Sequence, residues 1–219
     1  MLSLFQRSFK DIDVRGYDSN LNYADNDRHI PLASLGSFLR TSIDDFPKQP
    51  EAYMVPDPER VEHFKSILPQ SKKLRVGLSW KTIGARSDKR TIPLSQMAKL
   101  LTLPDVEFIN LQYGDTTEDI DRIYKEANIR IHDWEDNDPL QDLDNQAALI
   151  SALDLVITID NSTLHMAGAV GTPTWGLLEY VPDWRWPQAF GDSPPLYRSV
   201  RLFRPSRSGV EHRRLAGCL

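Results

Sequence analysis

The run from Ala152 to Pro173 constrains the fold of this chain more than any other stretch. Leu155–Ile159 is apolar and β-branched, as expected for a strand covered on both faces. It ends in Asp160 and passes directly into a helix that opens with Asn161, Ser162 and Thr163. These residues supply capping side chains, and the helix start leaves backbone N–H groups without partners. Such an end carries partial positive charge and holds phosphate. His165 falls in the first turn, within reach of the same anion. Ala167, Gly168 and Ala169 are small, so the helix packs tightly on its sheet, and Gly171 with Pro173 stops it. The pattern is that of a diphosphate cradle.

Strand and helix patterns alternate around this run. Strands are predicted at 75–80, 106–112, 129–132, 155–160, 174–178 and 200–203, with helices at 94–101, 118–127, 145–152 and 162–170. Alternation at these lengths predicts βαβ units and a doubly wound, Rossmann-like parallel sheet. A further helix is predicted at 58–68, capped by Asp57 with Pro58 at its first position. The Pro-rich stretch 46–58 reads as an extended connector. Ligands of such sheets lie beyond the carboxyl ends of the strands, where strand order reverses. The loops after Trp80, Gln112 and Asp160 are therefore expected to line one cleft.

Several motifs in this order resemble the carboxyl-terminal domain of the heptosyltransferase-like glycosyltransferases. The nearest branch is the set of bacterial domains found behind tetratricopeptide repeats. The resemblance is carried by residues 160–173, by 74–80, 89–94, 106–114 and 182–186, and by 201–204; upstream, 29–35 resembles the end of the amino-terminal domain of that family. It implies a GT-B fold, two Rossmann-like domains facing across a cleft, with the nucleotide-sugar donor held mainly by the second. A chain of 219 residues suits one such domain and part of another. The expected division is a remnant of the amino-terminal domain and connector at 1–71, a nucleotide-sugar-binding domain at 72–205 and a tail at 206–219. A fragment, truncated product or reduced homologue is expected, with a missing amino-terminal or tetratricopeptide-repeat segment as a partner.

Site residues follow from both readings. His165 and Asp160 are the catalytic candidates: His165 as a donor to the diphosphate, Asp160 as a group that orients sugar hydroxyls or simply caps the turn. The amides of Asn161, Ser162 and Thr163, with Gly168, are substrate-binding candidates. In the loop after the first strand, Lys81 and Arg90 match the positive positions of the family, and Lys89 competes with Arg90 for the inward one. The opposing reading is a basic surface loop. Gln112 is placed near base or ribose, and Glu179 near a ribose. Trp184, Arg185 and Trp186 form an aromatic-cation cluster that either stacks on the ligand or clasps the domain.

Composition limits the remaining choices. Hydrophobic residues make up 40% and charged residues 26%, the range of a globular protein. The net charge of -5 gives nucleic-acid binding no support. A single cysteine, Cys218, leaves no internal disulfide, and no apolar run spans a membrane. A cytoplasmic protein is expected. The acidic triplets 25–27, 136–138 and 142–144 and the five histidines lack metal-ligand character, so neither metal nor cofactor is expected. The resemblance places the general base near the start of the amino-terminal domain, a region expected to be absent here, and the family's Ser-Pro-Trp-Tyr-Pro motif stands as Ser193–Tyr197 with altered order. Two functions follow: a glycosyltransferase, or its donor-binding part, acting on an unknown protein or glycan acceptor, and a non-catalytic nucleotide-sugar-binding or scaffolding domain. An epimerase on the same fold lacks evident acid–base groups.

Overall fold

The computed structural model describes residues 1–16, 27–46, 48–83, 87–134 and 141–205. The acidic triplet 136–138, most of 25–27, Gly84, Arg86 and the tail 206–219 lie outside them. The strands are β1 (Leu74–Ser79), β2 (Val106–Asn110), β3 (Ile131–His132), β4 (Leu155–Ile159), β5 (Thr174–Leu177) and β6 (Val200–Phe203). The helices of seven residues or more are α1 (Leu2–Ser8), α2 (Pro58–Ile67), α3 (Thr117–Ala127), α4 (Leu143–Ser151) and α5 (Ser162–Val170). Shorter turns of helix stand at Gly36–Leu39, Ser87–Arg90 and Ala98–Leu101.

The six strands form one sheet in the order β3-β2-β1-β4-β5-β6. Every neighbouring pair is parallel. This is the doubly wound, Rossmann-like α/β arrangement expected, with strand order reversing between β1 and β4. A parallel sheet must be covered on both faces, and two apolar clusters do so. One packs Val76, Leu78, Phe108, Ile157 and Ile159 against Leu94–Leu101 and Ile123. The other packs Ile109, Leu111 and Val156 against α4, α5, Phe64 of α2 and Leu4 of α1.

Both α1 and α2 thus pack into the apolar layer on this face of the sheet, and the described residues of 1–71 contain no strand. Arg7 binds Asp144 at 2.5 Å and the Val55 carbonyl at 2.8 Å, fixing α1 to α4 and to the connector. The connector itself is held where the Tyr53 and Met54 amides both donate to the Ala169 carbonyl of α5. Among the described residues, no helix is long and apolar enough to cross a membrane.

Candidate functional site

The switch point between β1 and β4 is built around Asn161. It caps α5, its Oδ1 accepting from the Thr163 amide at 3.0 Å and from the Thr158 hydroxyl at 3.1 Å. Its Nδ2 donates to Ser79 Oγ at 2.7 Å, and that hydroxyl donates to Gln112 Oε1 at 3.1 Å. Gln112 Oε1 also accepts from the Trp80 and Lys81 amides. One buried chain of polar groups therefore joins the ends of β1, β2 and β4 to the start of α5. Gln112 is the knot that shapes the loop after β1, and its side chain is buried.

Beside this knot, Ser162, Thr163 and His165 line a cleft of about 460 Å³. Tyr53, Tyr113 and Tyr197 line it as well. Ser162 is exposed and opens the first turn of α5, where an amide has no partner four residues back. His165 is held on two sides. Its ring stacks on Trp186 at 5.1 Å and 19°, and its Nδ1 lies 2.9 Å from the Tyr197 hydroxyl. Burial pushes its pKa below the usual imidazole value; Asp160 and Asp183 pull upward and Arg185 downward. The ring is neutral at pH 7.

Asp160 lies behind Trp186. Its Oδ1 accepts from the Trp186 indole N–H at 2.8 Å, while Oδ2 is buried without a hydrogen-bond donor and stands 3.7 Å from Arg90. Arg90 also meets Glu179 at 3.2 Å. One guanidinium is thus shared by two buried carboxylates. Lys81 is committed too, donating to Asp119 at 3.0 Å and to the Asp115 carbonyl. Lys81 and Arg90 are thus both paired with carboxylates, and at the start of α5 the helix dipole and the neutral ring of His165 border the cleft.

Gly168 and the cluster at 184–186 stand away from the cleft lining. Lys89 occupies the short helix Ser87–Arg90. Gly168 faces the Tyr197 ring: a Cβ there would come within 2.9 Å of Tyr197 Cβ. Trp184 is 78% exposed with the Arg185 guanidinium 4.7 Å over its ring, and Arg185 pairs with Asp183. Trp186 is the buried member of that cluster, a clasp beneath His165. Sequence reasoning missed Tyr53 and Tyr197. The one available signal was the altered Ser193–Tyr197 motif, which keeps a tyrosine one position later. Among the described residues, no group of three or more His, Cys, Asp or Glu is placed to hold a metal ion.

No protein-family model matches the chain. Protein FlbA of Caulobacter vibrioides is 36% identical over 226 residues, which takes in 94% of this chain and 37% of that protein. The structure of Escherichia coli ADP-heptose LPS heptosyltransferase II superposes with a TM-score of 0.56 at 17% identity, over 82% of this chain and 56% of that one. A glycosyl transferase family 9 protein of Veillonella parvula gives 0.52 at 13% identity, over 74% of this chain and 45% of that one. The chain therefore spans well under two thirds of each relative. The fold is heptosyltransferase-like.

Proposed function

We propose that this chain is the donor-binding part of a glycosyltransferase that moves a sugar from a nucleoside-diphosphate sugar to an acceptor hydroxyl. The observation that carries the reading is the start of α5. A capped helix begins at the switch point of a heptosyltransferase-like sheet and presents Ser162, Thr163 and His165 to one cleft. When the acceptor oxygen attacks the anomeric carbon, the bond to the diphosphate breaks and negative charge grows on the departing phosphate oxygens. The Ser162 amide, the helix dipole and an imidazole N–H stabilise that charge without reorganising, the Asn161 and Thr163 amides being held by Ile159 and by the cap. The acceptor proton leaves to a base outside this cleft, in the acceptor-binding part of the enzyme. No cofactor enters this scheme.

Calorimetric titration of the purified chain with UDP, ADP, GDP and CMP tests the proposal. One nucleotide should bind saturably, and His165→Ala should weaken it by about 1–3 kcal/mol, the loss expected for a hydrogen bond to a charged group. Absence of binding by all four, from protein that circular dichroism shows to be folded, would overturn it.

The internal pairing of Lys81 and Arg90 favours a second reading, in which the chain binds a nucleotide-sugar and does not transfer it. Transfer of sugar by this chain alone to any acceptor would exclude that reading.

A further inference from the structure

His165 is the innermost polar member of an aromatic stack. Trp186 lies against one side of the imidazole, Tyr197 meets it edge-on at 5.8 Å, and Tyr53 lies over Tyr197 at 6.1 Å and 17°. Gly168 lets the Tyr197 ring sit directly on α5. The imidazole therefore has one place to be, and only its protonation pattern remains open.

A neutral imidazole carries its proton on one nitrogen and accepts on the other, and the partner of one nitrogen decides the state of both. Here Nδ1 is engaged by the Tyr197 hydroxyl at 2.9 Å. Nε2 makes no hydrogen bond to any described residue, and the ring borders the cleft. A phenol is a good donor and a poor acceptor, whereas the lone pair of imidazole is a strong acceptor. Between these two groups the favourable bond is O–H to Nδ1. The ring proton must then sit on Nε2. Burial keeps both groups in the required neutral forms, pushing the Tyr197 phenol up and His165 down.

We infer that Tyr197 is a positioning residue that locks His165 as the Nε2–H tautomer, so that the ring presents a hydrogen-bond donor to the cleft. That the donor meets a diphosphate rests on the proposed function; the tautomer does not.

Nitrogen NMR of the full chain, labelled at histidine and free of ligand at pH 8, reads the tautomer directly. The expected pattern is a proton-bearing Nε2 and an unprotonated Nδ1 for His165. In Tyr197→Phe, which removes only the hydroxyl, the signals should move toward the two-tautomer mixture of a free imidazole. A proton on Nδ1 in the native chain would overturn the inference, as would identical patterns in the two proteins. The native measurement decides even if the variant folds poorly. Inorganic pyrophosphate then separates the two claims. It should shift Nε2 and bind the variant only slightly more weakly, by less than about twofold, because a free imidazole of histidine already favours the Nε2–H form. No response to pyrophosphate with the tautomer in place would sink the diphosphate reading and leave the role of Tyr197 standing.

Discussion

Gly168 shows how a single residue sets the candidate site. Its missing side chain is the space that the Tyr197 ring fills, and the ring in turn holds His165. Gly168→Ala gains helix propensity worth up to about 1 kcal/mol. Against this, the added methyl meets Tyr197 near its own Cβ, the stiff end of the side chain, where little can give. Overpacking of this kind costs typically about 1–3 kcal/mol. Net destabilisation of about 1 kcal/mol is expected in urea unfolding, together with weaker nucleotide binding because His165 moves with the ring. A stabilised variant with unchanged binding would show that the ring is free to shift. The local part of this site was legible in the sequence: Ser162, Thr163 and His165 follow a strand end by a few residues, so spacing alone places them together. The partners were not. Tyr197 meets His165 from 32 residues away, and Lys81 and Arg90 find their carboxylates 38 to 89 residues along the chain. Charge read from a loop says nothing of which acids the fold brings to it.

Among the elements, the strand–helix junction at Asn161 joins most of the others. Its side chain caps α5 and, through Ser79 and Gln112, fixes the loops after β1 and β2. Asn161→Ala removes the cap, worth about 1 kcal/mol, and two hydrogen bonds inside the buried chain, to Ser79 and from Thr158, at about 0.5–1.5 kcal/mol each. Ser79 keeps Gln112 and Thr158 keeps the Ile159 carbonyl. A loss of about 2–4 kcal/mol by urea unfolding is expected, with nucleotide binding lost even below the transition. A loss under 1 kcal/mol would mean that water replaces the side chain. Most elements themselves were readable. A β-branched run marks β4, the alternation of strands and helices places β6, and Asp57 with Pro58 marks the start of α2, all as found. The helix expected at 94–101 is instead a 3₁₀ turn at Leu94–Met97 followed by one α-helical turn. Its apolar pattern reports burial, and Pro93 allows either geometry at a first turn. Helix α1 went unread because seven residues carry too little periodicity; what orders it is the burial of Leu4 and the Arg7–Asp144 pair.

On the scale of the whole molecule, the ionisable groups surrounding the sheet predict how stability follows pH. The unfolded chain protonates its histidines near pH 6.5, whereas burial holds His165 neutral to lower pH. Between those two values the unfolded state binds more protons, so stability falls as the solution is acidified. A second acid window opens below the ordinary carboxylate range. There Glu107, depressed by its bond to His132, resists protonation in the fold. Asp119 does so too: burial raises it, but the hydrogen bonds from Lys81 and Trp80 outweigh that. On the alkaline side the sign reverses. Burial raises Tyr53 and Tyr197, which keep their protons above pH 10 while the unfolded chain gives them up, so stability falls again as pH rises. Urea unfolding across this range should therefore show a plateau between about pH 7 and 9.5, a shoulder of loss beginning near pH 6.5, and steeper loss below pH 4. The assignment of the shoulder is separable from the rest. His165→Gln should remove it and leave the carboxylate window in place, because Glu107 and Asp119 keep their partners. Stability that rises as pH falls from 7 to 5.5 would mean that His165 gains a proton in the fold. The neutral imidazole on which both the tautomer and the cleft's donor depend would then be lost.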